Sequence, residues 1–194
     1  MLLTHSLFQF FRKYSFTLLL GPSNSGKTTY FVNEFQNPRI IISCVPIEKL
    51  AFDEEDLEKL LKCQFINTRV SSDDRDLNWE GECNLLVDEF HFFTQADFLI
   101  LEKIVDKNAD HIRNFFVTSL SGSSQGTGFF PQIKLIPLAN NIIVLPGSCF
   151  ICGKETTRSA CINNYKGQKQ LNKTAYKACC FEHLKTVNQN DENQ

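Results

Sequence analysis

Apolar residues in this chain gather into short unbroken runs: Phe16-Thr17-Leu18-Leu19-Leu20, the isoleucine-rich Arg39 to Val45, Asn84-Leu85-Leu86-Val87 and Asn114 to Thr118. Runs of that length between turn residues are what strands buried on both faces look like. The segments between them have helical spacing. Thr28 to Gln36 reads as a helix stopped by Asn37-Pro38. Pro46 can open a second, in which Ile47 to Leu61 buries Leu50, Leu57, Leu60 and Leu61, and Phe98 to Asp106 reads as a third. Asp53 to Asp56 is then a solvated helix face. Strand and helix in repetition predict an α/β fold, a parallel sheet with helices on both faces. Residues 1–14 carry Leu2, Leu3, Leu7, Phe8, Phe10 and Phe11, an amphipathic pattern expected to pack on the domain. Gln64 to Arg75 has no clear period, Ser71-Ser72-Asp73-Asp74 reads as a loop, and Ser119 to Gly128 as a flexible serine- and glycine-rich loop.

Length and composition limit what this sheet belongs to. A chain of 194 residues with 42% hydrophobic residues holds one full core and a small appendage, not two motor domains. A net charge of −2 predicts no broad basic surface, so nucleic acid is not expected as a partner. No stretch reaches the roughly 20 apolar residues of a membrane span, so no membrane association is expected. Eight cysteines without a secretion signal point to a reducing, cytoplasmic setting and metal-bound thiols.

Three local patterns carry chemistry. Gly21-Pro22-Ser23-Asn24-Ser25-Gly26-Lys27-Thr28 fits G-x-x-x-x-G-K-[ST] at each defined position, directly after an apolar run. Its backbone N–H groups and the helix start at Gly26 cradle phosphates, Lys27 reaches the β- and γ-phosphates of ATP, and Thr28 reaches Mg²⁺. The fold expected is therefore of the P-loop (RecA-like) type. The run ending at Asp88-Glu89 places adjacent carboxylates where such enzymes keep their Mg²⁺-associated acid. Finally, Cys149-Phe150-Ile151-Cys152 and Cys180-Phe181-Glu182-His183 have the knuckle spacing of a structural Zn²⁺ site. Cys179 is a rival ligand, and Cys44, Cys63, Cys83 and Cys161 read as small buried hydrophobes. The chain divides into a phosphate-loop domain at 1–146, a zinc-binding lobe at 147–187 and a disordered tail at 188–194.

The order of these features resembles the thymidine kinases shared by animals, bacteria and large DNA viruses. The resemblance rests on Gly21 to Thr28, on Asp88-Glu89-Phe90-His91-Phe92-Phe93, on a lid at Leu120-Ser121-Gly122-Ser123-Ser124-Gln125, on Ile136-Pro137-Leu138-Ala139 before Cys149, and on Tyr176 before Cys180. It implies ATP-dependent phosphorylation of a thymidine 5′-hydroxyl in deoxynucleotide salvage, by a homotetramer. It also implies roles: Asp88 supports the metal, Glu89 is the general base, and Phe92, Phe93, Leu120 and Tyr176 surround the nucleoside.

The chain departs from that family where the acceptor is gripped. Ser121, Ser124 and Gly126-Thr127-Gly128 replace the lid's usual acid, aromatic and basic residues, Leu171-Asn172 stands for paired glycines, and Asn67-Thr68-Arg69 echoes an Asp-x-Arg. Two other readings compete: a catalytically impaired nucleotide-binding relative, and a helicase-like ATPase with Asp88-Glu89-Phe90-His91 as its acidic box. Length and the lack of a basic groove oppose the second.

Overall fold

The computed structural model describes residues 9–36, 39–46, 58–70, 79–123, 127–162 and 176–189. Strands β1 (Thr17–Gly21), β2 (Arg39–Ser43), β3 (Gln64–Asn67), β4 (Cys83–Asp88), β5 (Ile112–Leu120) and β6 (Asn141–Val144) form one sheet in the order β3-β2-β4-β5-β1-β6. Every pairing in it is parallel. Helices α1 (Lys27–Glu34) and α2 (Gln95–Lys107) belong to its crossovers, and α3 (Phe130–Leu135) precedes the edge strand.

The unbroken apolar runs have a direct structural reason. Successive side chains on a strand point to opposite faces, and both faces here are covered. Leu18, Leu20, Ile40, Ile42, Leu85 and Val87 enter one core, whereas Leu19, Ile41 and Leu86 enter the other with Phe31, Val32 and Leu60. Each fully buried leucine contributes on the order of 2 kcal/mol. The first core also takes the helical segment 9–12, whose Phe10 and Phe11 are fully buried. Phe10 meets Phe98 edge-on at 5.5 Å, and Phe11 meets Phe90 at 5.6 Å. The expected packing of the N-terminal segment holds for these residues; 1–8 lie outside those described, as do 47–57 of the helix expected over Ile47 to Leu61, the Asp53 to Asp56 run included.

Several boundaries differ from the sequence reading. Gln64 to Asn67, which showed no period, is the edge strand β3, paired on one side only. Helix α2 begins earlier than Phe98 because Thr94 caps it: its side chain accepts from the Asp97 N–H while Asp97 accepts from the Thr94 N–H, a capping box. Strand β5 continues through Ser119 and Leu120, so the serine-rich loop starts at Ser121. Ile136–Leu138 is a 3-10 turn, tolerating Pro137 where no N–H is needed, and β6 follows it.

After Val144 come two-residue strands β7 (Gly147–Ser148) and β8 (Glu155–Thr156), three-residue strands β9 (Ser159–Cys161) and β10 (Tyr176–Ala178), and helix α4 (Phe181–Gln189). β7 pairs with β8 and β9 with β10, both antiparallel. Helix α4 extends two residues into the stretch from Asn188 expected to be a tail.

Candidate functional site

Register sets what meets at the carboxyl edge of the sheet. Gly21 pairs with Leu120, Ser43 with Asp88, and Val87 with Val117, so the glycine-rich loop, the acids and the end of β5 share one rim. That edge is where open parallel sheets bind ligands.

The loop Gly21–Thr28 turns there with two left-handed residues, Asn24 at φ 60° and Gly26 at φ 76°. Gly21 is required for another reason: an added Cβ would collide with Ser25 Oγ and the Leu145 carbonyl. Lys27, on the first turn of α1, is buried and directs Nζ back at the loop, donating to the Pro22 carbonyl at 2.7 Å and the Gly21 carbonyl at 3.3 Å. The ammonium thus rests on the oxygens that an anion's own oxygens would replace.

Asp88, at the end of β4, is fully buried. Burying a carboxylate is costly unless it is hydrogen-bonded. Two hydroxyls meet that need: Thr28 Oγ1 donates at 3.2 and 3.3 Å, and Thr118 Oγ1 donates from the neighbouring strand. Thr28 and Asp88 form a pair of oxygen ligands suited to Mg²⁺, a hard cation. Glu89 follows with φ 57°, left-handed for a non-glycine residue, a strain of about 1–3 kcal/mol of the kind found at functional positions. The conformer is held by its N–H on Thr118 Oγ1 at 3.0 Å and by its carbonyl accepting from the Phe92 N–H at 2.9 Å.

The residues after Glu89 form a 3-10 turn, Phe90–Phe92. Phe92, Phe93 and Leu120 are buried, with Phe92 against the His91 ring at 4.1 Å and Phe93 against Phe90 at 5.2 Å. Tyr176 is buried in the later segment, paired in register with Cys161. Behind the turn, Arg69 donates to the Phe92 carbonyl at 3.0 Å and pairs with Asp97 at 3.0 Å. Burial would raise the Asp97 pKa, yet bonds from Arg69, Thr68 and Thr94 outweigh it and hold the carboxyl below its usual range. The Asn67-Thr68-Arg69 echo therefore lies at the end of β3 and buttresses the acidic turn.

The cysteine and histidine cluster is compact. The ligand atoms of Cys149, Cys152, Cys180 and His183 all lie within 4.8 Å of one another. Cys152 Sγ is 3.8 Å from Cys180 Sγ, and His183 Nδ1 is 3.3 Å from Cys180 Sγ and 3.6 Å from Cys149 Sγ. Tetrahedral Zn²⁺ with arms of about 2.3 Å to sulfur gives sulfur–sulfur edges of about 3.8 Å, so the donor set fits that ion. Burial opposes ionisation of Cys149, but N–H groups of Cys180, Cys152 and Ile151 and the His183 ring bring its thiol down to about 5. Cys179 is not in the cluster; it is fully buried, and burial pushes its thiol up to about 12. Cys44, Cys83 and Cys161 are buried and Cys63 half-buried, all as free thiols.

The cluster's segment touches the glycine-rich loop. Ser23 N–H donates to Ser159 Oγ at 3.1 Å, Ser121 Oγ donates to the Thr157 carbonyl, and an added Cβ on Gly147 would come within 2.9 Å of Pro22.

With this geometry in place, the comparison with known families is decisive: the model described as thymidine kinase matches residues 14–184. The chain belongs to the thymidine kinase family. No curated protein matches it. Membership supports nucleoside phosphorylation as the general activity, with a small-molecule nucleoside as substrate and with nucleotide and metal use. No helix among the described residues is long and apolar enough to cross a membrane. In this thymidine kinase family member the loop, Asp88, Glu89, Phe92, Phe93 and Leu120 lie along one sheet rim. The four cysteine and histidine residues lie together elsewhere, Cys149 and Cys152 between β7 and β8, Cys180 just before α4 and His183 on it. Leu171, Asn172, Ser124 and Gln125 lie outside the described residues. The sequence reading missed Thr118, His91 and Asp97. For Thr118 a signal existed, a hydroxyl at the end of an otherwise apolar strand.

Proposed function

We propose that the chain transfers the γ-phosphoryl group of ATP to the 5′-hydroxyl of a deoxynucleoside, thymidine first, giving the 5′-monophosphate. The observation that carries this reading is Glu89, a buried carboxylate held in a left-handed conformation beside an Asp88 bonded to Thr28 of the glycine-rich loop. Lys27 and the loop N–H groups bind the β- and γ-phosphates, and Thr28 and Asp88 hold Mg²⁺. The bound ion supplies positive charge to the phosphates. Glu89 accepts the proton of the acceptor hydroxyl, a poor nucleophile until that proton has somewhere to go. Phe92, Phe93, Leu120 and Tyr176 line the nucleoside.

The segment from Gly147 forms a lobe that holds Zn²⁺ through Cys149, Cys152, Cys180 and His183 and closes on the acceptor. Because Leu171 and Asn172 stand where paired glycines allow close backbone approach, and Ser124 removes a lid aromatic, thymidine binds more weakly than in relatives with the usual loop. The protein acts in the cytoplasm as a homotetramer, and Ile142 and Val144, both exposed on edge strand β6, offer apolar surface to another copy.

The test is kcat/KM for thymidine, deoxyuridine, deoxycytidine and purine deoxynucleosides with MgATP, beside light scattering for mass. Transfer to thymidine with shallow discrimination is expected. ATP binding without transfer to any nucleoside would make the chain a nucleotide-binding relative, and sharp exclusive use of thymidine would overturn the account of Leu171 and Asn172.

A further inference from the structure

His91 is fully buried in the turn between the acids and Phe92, packed between the rings of Phe92 at 4.1 Å and Phe129 at 4.9 Å. A histidine so enclosed needs partners for its ring nitrogens. The backbone N–H of Leu120 donates to Nδ1 at 3.3 Å. A ring nitrogen that accepts carries no proton, so the neutral ring holds its hydrogen on Nε2. Nε2 faces Glu89 Oε2 at 3.3 Å. The two atoms are close without being aligned as a hydrogen bond in this resting state, and catalytic hydrogen bonds are often long or poorly aligned until substrate is bound.

We propose that His91 is a positioning residue for the base: Nε2–H holds Glu89 Oε2, leaving Oε1 to accept the acceptor hydroxyl's proton. The Leu120 N–H fixes the tautomer, and the flanking Phe92 and Phe129 rings fix the ring plane. The base is thereby tied to Leu120 and Phe92, two residues of the proposed acceptor wall, so the carboxylate's orientation depends on that wall being in place. This rests on the reading of Glu89 as base.

The experiment compares His91→Leu, His91→Gln and Glu89→Gln with the unmodified chain, each checked by thermal melting. Losing one hydrogen bond to a carboxylate predicts that His91→Leu lowers kcat about tenfold to a hundredfold, with KM for ATP changed less than about twofold. His91→Gln, whose amide can donate to Glu89 and accept from Leu120, recovers most of the loss. Should His91→Leu fail to fold, His91→Gln and the spectra below carry the test. A wild-type kcat in His91→Leu, with Glu89→Gln inactive, overturns the positioning role and leaves the base reading intact. Normal turnover in Glu89→Gln overturns the base reading and this proposal with it. A second readout needs no turnover: nitrogen-15 spectra of labelled histidine, with the His91 signals assigned by their loss in His91→Gln. They should show the Nε2–H tautomer, with that nitrogen's shift moving in Glu89→Gln. An Nδ1–H tautomer, or a shift indifferent to Glu89, overturns the contact.

Discussion

At the sheet rim, Asp88 and Glu89 stand at the end of a six-residue strand paired on both sides, whereas Cys149, Cys152, Cys180 and His183 stand on or beside strands of two and three residues and one short helix. The rim draws on a core of more than twenty buried residues; the ribbons share a cluster of Cys149, Ala160, Cys179, Cys180 and Leu184. Two of those five are themselves candidate ligands paired across the cluster. A preformed sheet can hold buried carboxylates with neighbouring hydroxyls alone. A region with so little apolar surface needs a cross-link, and a metal is the one its residues suit.

The largest effect expected is therefore metal removal. Purified protein should contain one Zn²⁺ per chain, and chelation should release hydrogen-exchange protection at β9, β10 and α4 while the sheet stays folded, since structural zinc sites supply on the order of 10 kcal/mol. Protein free of zinc, or a chelated lobe as protected as before, would break the contrast. Next in size, Glu89→Gln should lower transfer by at least about a hundredfold while ATP binding persists, whereas Lys27→Ala should weaken both. Isothermal titration beside steady-state kinetics separates the two.

Smaller again is the acid response of the Asp97 network. Its folded pKa is depressed, so the stability it contributes is present above the unfolded pKa and lost as pH falls through the folded one. Asp97→Asn should cost about 1–3 kcal/mol at neutral pH in denaturant melts, with the difference shrinking in acid below the usual carboxylate range. The smallest effect concerns the link between the two regions. Ser159→Ala removes the acceptor for the Ser23 N–H, and ATP affinity should shift by no more than roughly tenfold, the reach of one neutral hydrogen bond. A shift as large as that from zinc removal would mean that the lobe governs the loop through this bond alone.

What could be read from sequence was local. The glycine-rich loop is legible because Gly21 and Gly26 answer constraints met within eight residues, and the metal ligands because each pair sits within one turn of chain. The runs around Leu18, Ile41 and Leu86 announced a sheet covered on both faces because each alternates between two cores. Thr118, His91 and Asp97 were not legible, since their partners Asp88, Leu120 and Arg69 lie about 30 residues away in sequence and only the folded sheet brings them together. β3 escaped for a related reason: an edge strand of four residues with polar ends has no period to show. The same distance effect decides Cys179 against Cys180, which differ only in which side of the chain faces the cluster.

The strand order has a consequence for how the protein comes into being. Thr17 pairs with both Phe116 and Asn141, so the strand that carries the glycine-rich loop is made early and has no partner until most of the chain has left the ribosome. Pairings this distant fold slowly and leave apolar edges open meanwhile. The loop's shape, pinned by Ser121 N–H on the Gly21 carbonyl and by Leu145 N–H on the Leu20 carbonyl, is thus among the last features to form during synthesis. Nascent chains stalled before residue 112 should not be retained on immobilised ATP, and chains released past residue 145 should be. Nucleotide capture then marks chains whose six-stranded sheet has closed and passes over those whose sheet is still open.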